Sequence, residues 1–276
     1  MAASSHLNNL INTAAPYWAA EAEVITTYFA SPKRTRETDR AWLAVQCYKE
    51  FWGTSMDNFN KGLFLGPVEG LLASFPKIDQ GVDRHEVLDV LEGLWAEFAH
   101  YVAFADAFDA MALPGEPKMT PAMVRELLKN NPGRVEDDQL TVLRVEHKNK
   151  YGALGMRALR FTEGGYCTLF SEGMKLKNRP RPGFEKADLA IADACARVFD
   201  DEFGHMLKGV TGLDEENLSD ADWKLLTDLA VLQLKGRILM RNAQFGYPVG
   251  QPRLDEMRAG KCKPLPFDYE RAKLAA

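Results

Sequence analysis

Residues 185–208 read EKADLAIADACARVFDDEFGHMLK, with apolar residues every three or four positions, the period of a helix that buries one face. At 3.6 residues per turn, Ile191, Cys195, Val198, Glu202 and Met206 share that face, so a glutamate interrupts an apolar stripe. His205 follows Glu202 by three residues, one turn away, and the two side chains can converge on one point. Residues 97–100, Glu97-Phe98-Ala99-His100, repeat the arrangement, with Glu97 in the stripe Val90, Leu94, Glu97, Tyr101, Phe104, Phe108. A single Glu-x-x-His is ordinarily an exposed pair. Two of them with the acid on the buried face call for shared cations, because an ionised carboxylate in a helical core is costly unless paired or bound to metal. Neither stripe contains a lysine or arginine.

The same period extends to most of the chain, and alternating runs that would mark strands are nearly absent, so the fold is expected to be all-α. Helices are expected over residues 16–30 and 37–60, followed by a short helical or looped piece over 63–75 that is interrupted at Gly66-Pro67. Asp83, with Glu86 three residues on, reads as a capping box opening a long helix to about 111. A short helix over 121–129 and one continuous helix over 137–177 follow. The Arg179-Pro180-Arg181-Pro182-Gly183 turn then leads into the quoted segment. Ser219 caps a further helix over 220–244, and the proline-rich residues 247–276 are expected to be irregular. The expected organisation is a single domain, with a helical core over 37–210 and residues 211–276 packed on it.

The 276 residues are 46% hydrophobic and 26% charged, enough apolar material for a sizeable core. The net charge of −5, without a basic stripe, argues against nucleic acid as a partner. No stretch approaches the length of a membrane span and the first residues lack the plan of a secretion signal, so a cytoplasmic protein is expected. Cys47, Cys167, Cys195 and Cys262 form no CxxC pair, and reduced, packed thiols are the default. His6, His85 and His147 lack an inward partner and read as surface residues.

The expected helix over 137–177 contributes a third inward acid, since Val145, Met156, Leu159, Glu163, Cys167, Phe170 and Met174 share a face. Glu163 and Glu202 lie about equally far from the turn near 181, hence at similar depth in two antiparallel helices. A fourth carboxylate is sought before Glu97. Glu50 shares a face with Leu43, Cys47 and Thr54 and is preferred, with Asp57 and Glu69 as alternatives.

The order Glu50, Glu97-x-x-His100, Glu163, Glu202-x-x-His205 resembles the ligand plan of the ferritin-like di-iron carboxylate proteins, over roughly residues 37–210. Asp201-Glu202-x-x-His205 is similar to the Asp-Glu-x-x-His form of their oxygen-activating branch, in which the aspartate supports the histidine; Ala96 departs from it in the first motif. The resemblance implies a ferritin-like four-helix bundle with additional terminal helices, two iron ions (or iron with manganese), and O2 activation to oxidise a small organic substrate. An electron donor and a homodimer are consistent with it. Tyr101 and Tyr166, one turn from proposed ligands, are candidates for relaying protons or electrons, against the plainer role of core aromatics. Gly164-Gly165 marks either a bulge with room for a ligand or close helix packing. Two other readings stay open: a ferroxidase or iron-storage subunit, and a metal-free helical binding protein.

Overall fold

A computed structural model describes residues 3–51, 62–120, 122–123, 126, 134–163 and 168–269, and every regular element among them is helical. The helices are α1 (Ser5–Phe29), α2 (Arg36–Phe51), α3 (Gly62–Ser74), α4 (Arg84–Ala110), α5 (Arg134–Thr162), α6 (Thr168–Met174), α7 (Glu185–Lys208), α8 (Asp220–Gln244) and α9 (Gln251–Arg258). No helix is long and apolar enough to cross a membrane among the described residues.

Local chemistry accounts for the boundaries. Asp83 accepts from the His85 N–H and starts α4, and Ser219 with Asp222 closes a full capping box on α8. α7 has the bounds of the quoted segment. Four helices differ from expectation, α1, α3, α5 and α9; of these, α3 runs unbroken through Gly66-Pro67. α1 starts eleven residues before Pro16, because the Ser4 hydroxyl accepts from the Leu7 N–H and the first turns bury Leu7, Leu10 and Ile11. The tail contains α9, whose first turn holds Pro252, where a missing N–H costs nothing. The expected short helix over 121–129 falls largely outside the described residues.

The expected helix over 137–177 is not continuous. Gly152 sits at φ 54, ψ −122, and the two arms of α5 on either side of it fold back on each other. In a straight helix, residues 144 and 162 would lie about 27 Å apart; here an Arg144 guanidinium N–H donates to the Thr162 carbonyl at 3.2 Å. Gly155 is needed as well, since a Cβ there would meet the His147 carbonyl oxygen at 2.1 Å. Both arms keep a helical apolar period, which is why they read as one helix.

The chain divides into two compact units. The first comprises residues 1–34, 132–175 and 198–276; in it α8 packs against α5 and α1, and α9 against α1 and α8. Its core gathers Trp18, Phe161, Met206, Leu226 and Leu234, with Trp18 edge-on to Phe161 at 5.5 Å. The second comprises residues 35–131 and 176–197, and there α4 packs on α2 and α3. Trp42, Leu43, Phe104 and Phe108 are its buried centre. Behind α4, the Arg36 guanidinium grips Glu116 through two N–H groups, and Arg40 lies 3.7 Å from the Phe108 ring centre. The Met119 N–H donates to Asp109 at 2.7 Å, so the chain after α4 is held by charge-assisted bonds.

Candidate metal centre

In the second unit, the last turn of α2 carries Glu50 and the middle of α4 carries Glu97 and His100. Trp42 on α2 lies edge-on to Phe104 on α4 with ring centres 6.5 Å apart, where the two helices pack side by side. His100 Nδ1 lies 3.6 Å from Glu50 Oε2 and 3.9 Å from Glu97 Oε2, and the three donor atoms all fall within 4.8 Å of one another. Side-chain exposure is 4% for His100, 7% for Glu50 and 29% for Glu97, so the group is buried on one side and open at Glu97. The Gln46 amide, one turn before Glu50, donates to Glu50 Oε1 at 2.5 Å and orients the carboxylate.

These distances fit one ion. Oxygen and nitrogen donors each about 2.0–2.2 Å from a metal stand roughly 3–4 Å from each other. Two carboxylates with one imidazole form a hard, oxygen-rich set suited to iron or manganese, and three protein donors leave positions open for an exogenous ligand.

The neighbours tune this site without entering it. Burial, and then the charge of Glu50, push the Cys47 thiol well above its usual range, so it packs as a neutral group. Burial raises the Tyr101 phenol to about 12, with Cys47 and Asp109 adding to the shift. Tyr101 lies against Phe51 at 5.0 Å and Phe98 at 5.8 Å and keeps its proton at neutral pH. Of the alternatives to Glu50, Glu69 is exposed and Asp57 lies outside the described residues.

In the first unit, α7 carries Glu202 and His205, both half-buried, and α5 ends beside Glu163. His205 Nε2 is 3.9 Å from Asp201 Oδ2, the neighbour expected to support it. Burial pushes the His205 imidazole pKa down against the opposing pull of Glu163 and Asp201, which favours the neutral, metal-binding form. Glu163 accepts from Arg160 at 2.9 Å. Among the described residues, Glu50, Glu97 and His100 form the group whose donors converge; Glu163, Glu202 and His205 do not form a second. The distance to the turn near 181 that placed Glu163 at the depth of Glu202 runs through residues 164–167, which lie outside the described residues. Tyr166, Gly164, Gly165 and Cys167 lie outside the described residues.

Two buried polar clusters in the first unit were not anticipated. Glu21, 1% exposed, accepts from Arg237 at 3.0 and 2.8 Å and from Arg241 at 3.0 Å. Burial alone would raise the Glu21 carboxyl, but the two guanidiniums hold it below the ordinary carboxylate range. His147, read from sequence as a surface residue, is 6% exposed and 3.0 Å from the Gln233 amide nitrogen, whose oxygen accepts from Thr162 at 2.6 Å. The spacing held a signal for the first cluster. Glu21 continues the α1 stripe Leu7, Ile11, Ala14, Trp18, and Arg237 and Arg241 continue the α8 stripe Leu226, Ala230, Leu234. An α1 begun at Pro16 hides the first half of its own stripe.

Comparisons with protein-family models, curated proteins and solved structures found no match. The chemistry of the donor groups therefore carries the functional reading.

Proposed function

We propose that the chain is a di-iron, or iron and manganese, carboxylate oxidase or oxygenase of the ferritin-like kind, acting with O2 on a small organic substrate. The observation that supports this most is the convergence of Glu50, Glu97 and His100 at metal-binding spacing, with Glu50 and His100 buried. Glu50, Glu97 and His100 would hold one ion, and Glu163, Glu202 and His205 offer the carboxylate and imidazole donors a second would need. Bound iron would provide reducing equivalents and open positions for O2.

The remaining roles belong to this chain's own side chains. Gln46 fixes the orientation of Glu50 through its amide N–H. Glu97, the most exposed of the three donors, faces the side from which solvent and substrate approach. Tyr101 holds a hydroxyl proton one turn from Glu97 and packs against Phe51 and Phe98.

A mononuclear centre in the second unit is the second reading, favoured because one donor group converges among the described residues. Anaerobic Fe(II) loading followed by metal counting separates the two. The di-iron reading expects two ions per chain, one lost in Glu50→Ala and one in His205→Ala, with O2 consumption on exposure to air. One ion per chain, unaffected by His205→Ala, selects the mononuclear centre. Failure to bind iron at all removes both.

A further inference from the structure

The face of α4 that looks away from the core is apolar. Leu88, Leu91, Trp95 and Phe98 are exposed by 47, 40, 75 and 48% and fall within an arc of about 80° on the helix. With aromatic side chains of about 150–250 Å² each when fully exposed, the four residues present on the order of 450 Å² of apolar surface. That lies within the roughly 300–600 Å² of the largest and often functional patch on a typical monomer, and supplies about half of the ~800 Å² that each partner gives to a standard interface.

The charges along this stripe select the occupant. Exposed Arg84 begins it and exposed Asp106 ends it, both inside the same arc. Trp95 stands eleven residues from each. A two-fold axis through Trp95 therefore lays two copies of α4 antiparallel, with the two tryptophans at the centre and Arg84 of each copy opposite Asp106 of the other. Such a surface complements itself, as an isologous interface must. The exposed Glu92 on the flank of the stripe disfavours an anionic lipid surface.

We infer that this face joins two copies of the chain through antiparallel α4 helices centred on Trp95. The inference does not depend on metal chemistry. Sedimentation velocity of the full chain from about 0.5 to 50 µM should show a species of twice the 30.9 kDa chain mass. Trp95→Lys should weaken the dimer at least ~30-fold, as expected for a central aromatic anchor, and its 75% exposure leaves folding unaffected, checked by circular dichroism. Arg84→Glu should weaken it roughly 10-fold, and the double variant Arg84→Glu/Asp106→Arg should recover most of the loss. A wild-type chain that is monomeric throughout, or a dimer indifferent to Trp95→Lys, overturns the proposal. Sensitivity to Trp95→Lys without recovery in the double variant overturns the antiparallel pairing.

Discussion

Glu50 and Glu97 are two acids within 4.8 Å of each other, one of them buried, and such proximity is unfavourable until a cation is present. Metal affinity and metal-free stability should therefore trade against each other at this point. In Glu50→Gln the Gln46 amide still finds an oxygen to donate to, while the negative charge is gone. The metal-free variant should be more stable than wild type by about 1 kcal/mol in urea and should bind one fewer iron. His147 offers a pH test. The Thr162 hydroxyl bonds the Gln233 oxygen, so the Gln233 N–H₂ faces His147 Nδ1, which must accept and stay unprotonated. Burial lowers the His147 pKa below its unfolded value of about 6.5, so the unfolded chain takes up the proton first. The contribution is complete above pH 6.5 and is lost as pH falls below it. Stability measured from pH 7 to 5 should drop more steeply in wild type than in His147→Gln.

At the scale of the helix, Gly152 and Gly155 decide whether α5 runs straight or folds back. Gly152 adopts a backbone conformation that side chains resist, and Gly152→Ala should cost about 1–3 kcal/mol. Gly155→Ala meets backbone instead of a movable side chain and should cost at least as much; thermal unfolding reads both. Helix ends were legible where side chains cap them: Ser219, Asp83 and the whole of α7 follow from sequence. The Glu50, Glu97 and His100 group was legible because its residues lie on uninterrupted α2 and α4, where a helical wheel holds its phase. The reading of α5 failed for the complementary reason, since a single glycine resets the phase and leaves the period unchanged. His147 escaped notice because its partner, Gln233, lies 86 residues away on another helix, and local spacing carries no trace of it.

At the scale of the molecule, the first unit is anchored on one carboxylate. Glu21→Ala strands Arg237 and Arg241 without their counter-ion, and breaking a buried pair of this kind costs about 3–5 kcal/mol. Hydrogen exchange should show the loss in α1 and α8. Since the Glu21 pKa lies below its unfolded value, its contribution is present at neutral pH and disappears as the solution is acidified below about pH 4, through the folded-state pKa. In Glu21→Gln this acid-dependent part of the unfolding curve should be absent.

Glu21 and Arg237 are 216 residues apart in the chain. At about 5–20 residues per second, the ribosome delivers the partner roughly 10–40 s after the acid. Through that interval α1 has emerged with Leu7, Ile11 and Trp18 uncovered, and α2, α3 and α4 of the second unit are made within it. The unit that is begun first is thus finished last, and the nascent chain spends that time presenting an amphipathic N-terminal helix to whatever chaperone waits at the tunnel exit.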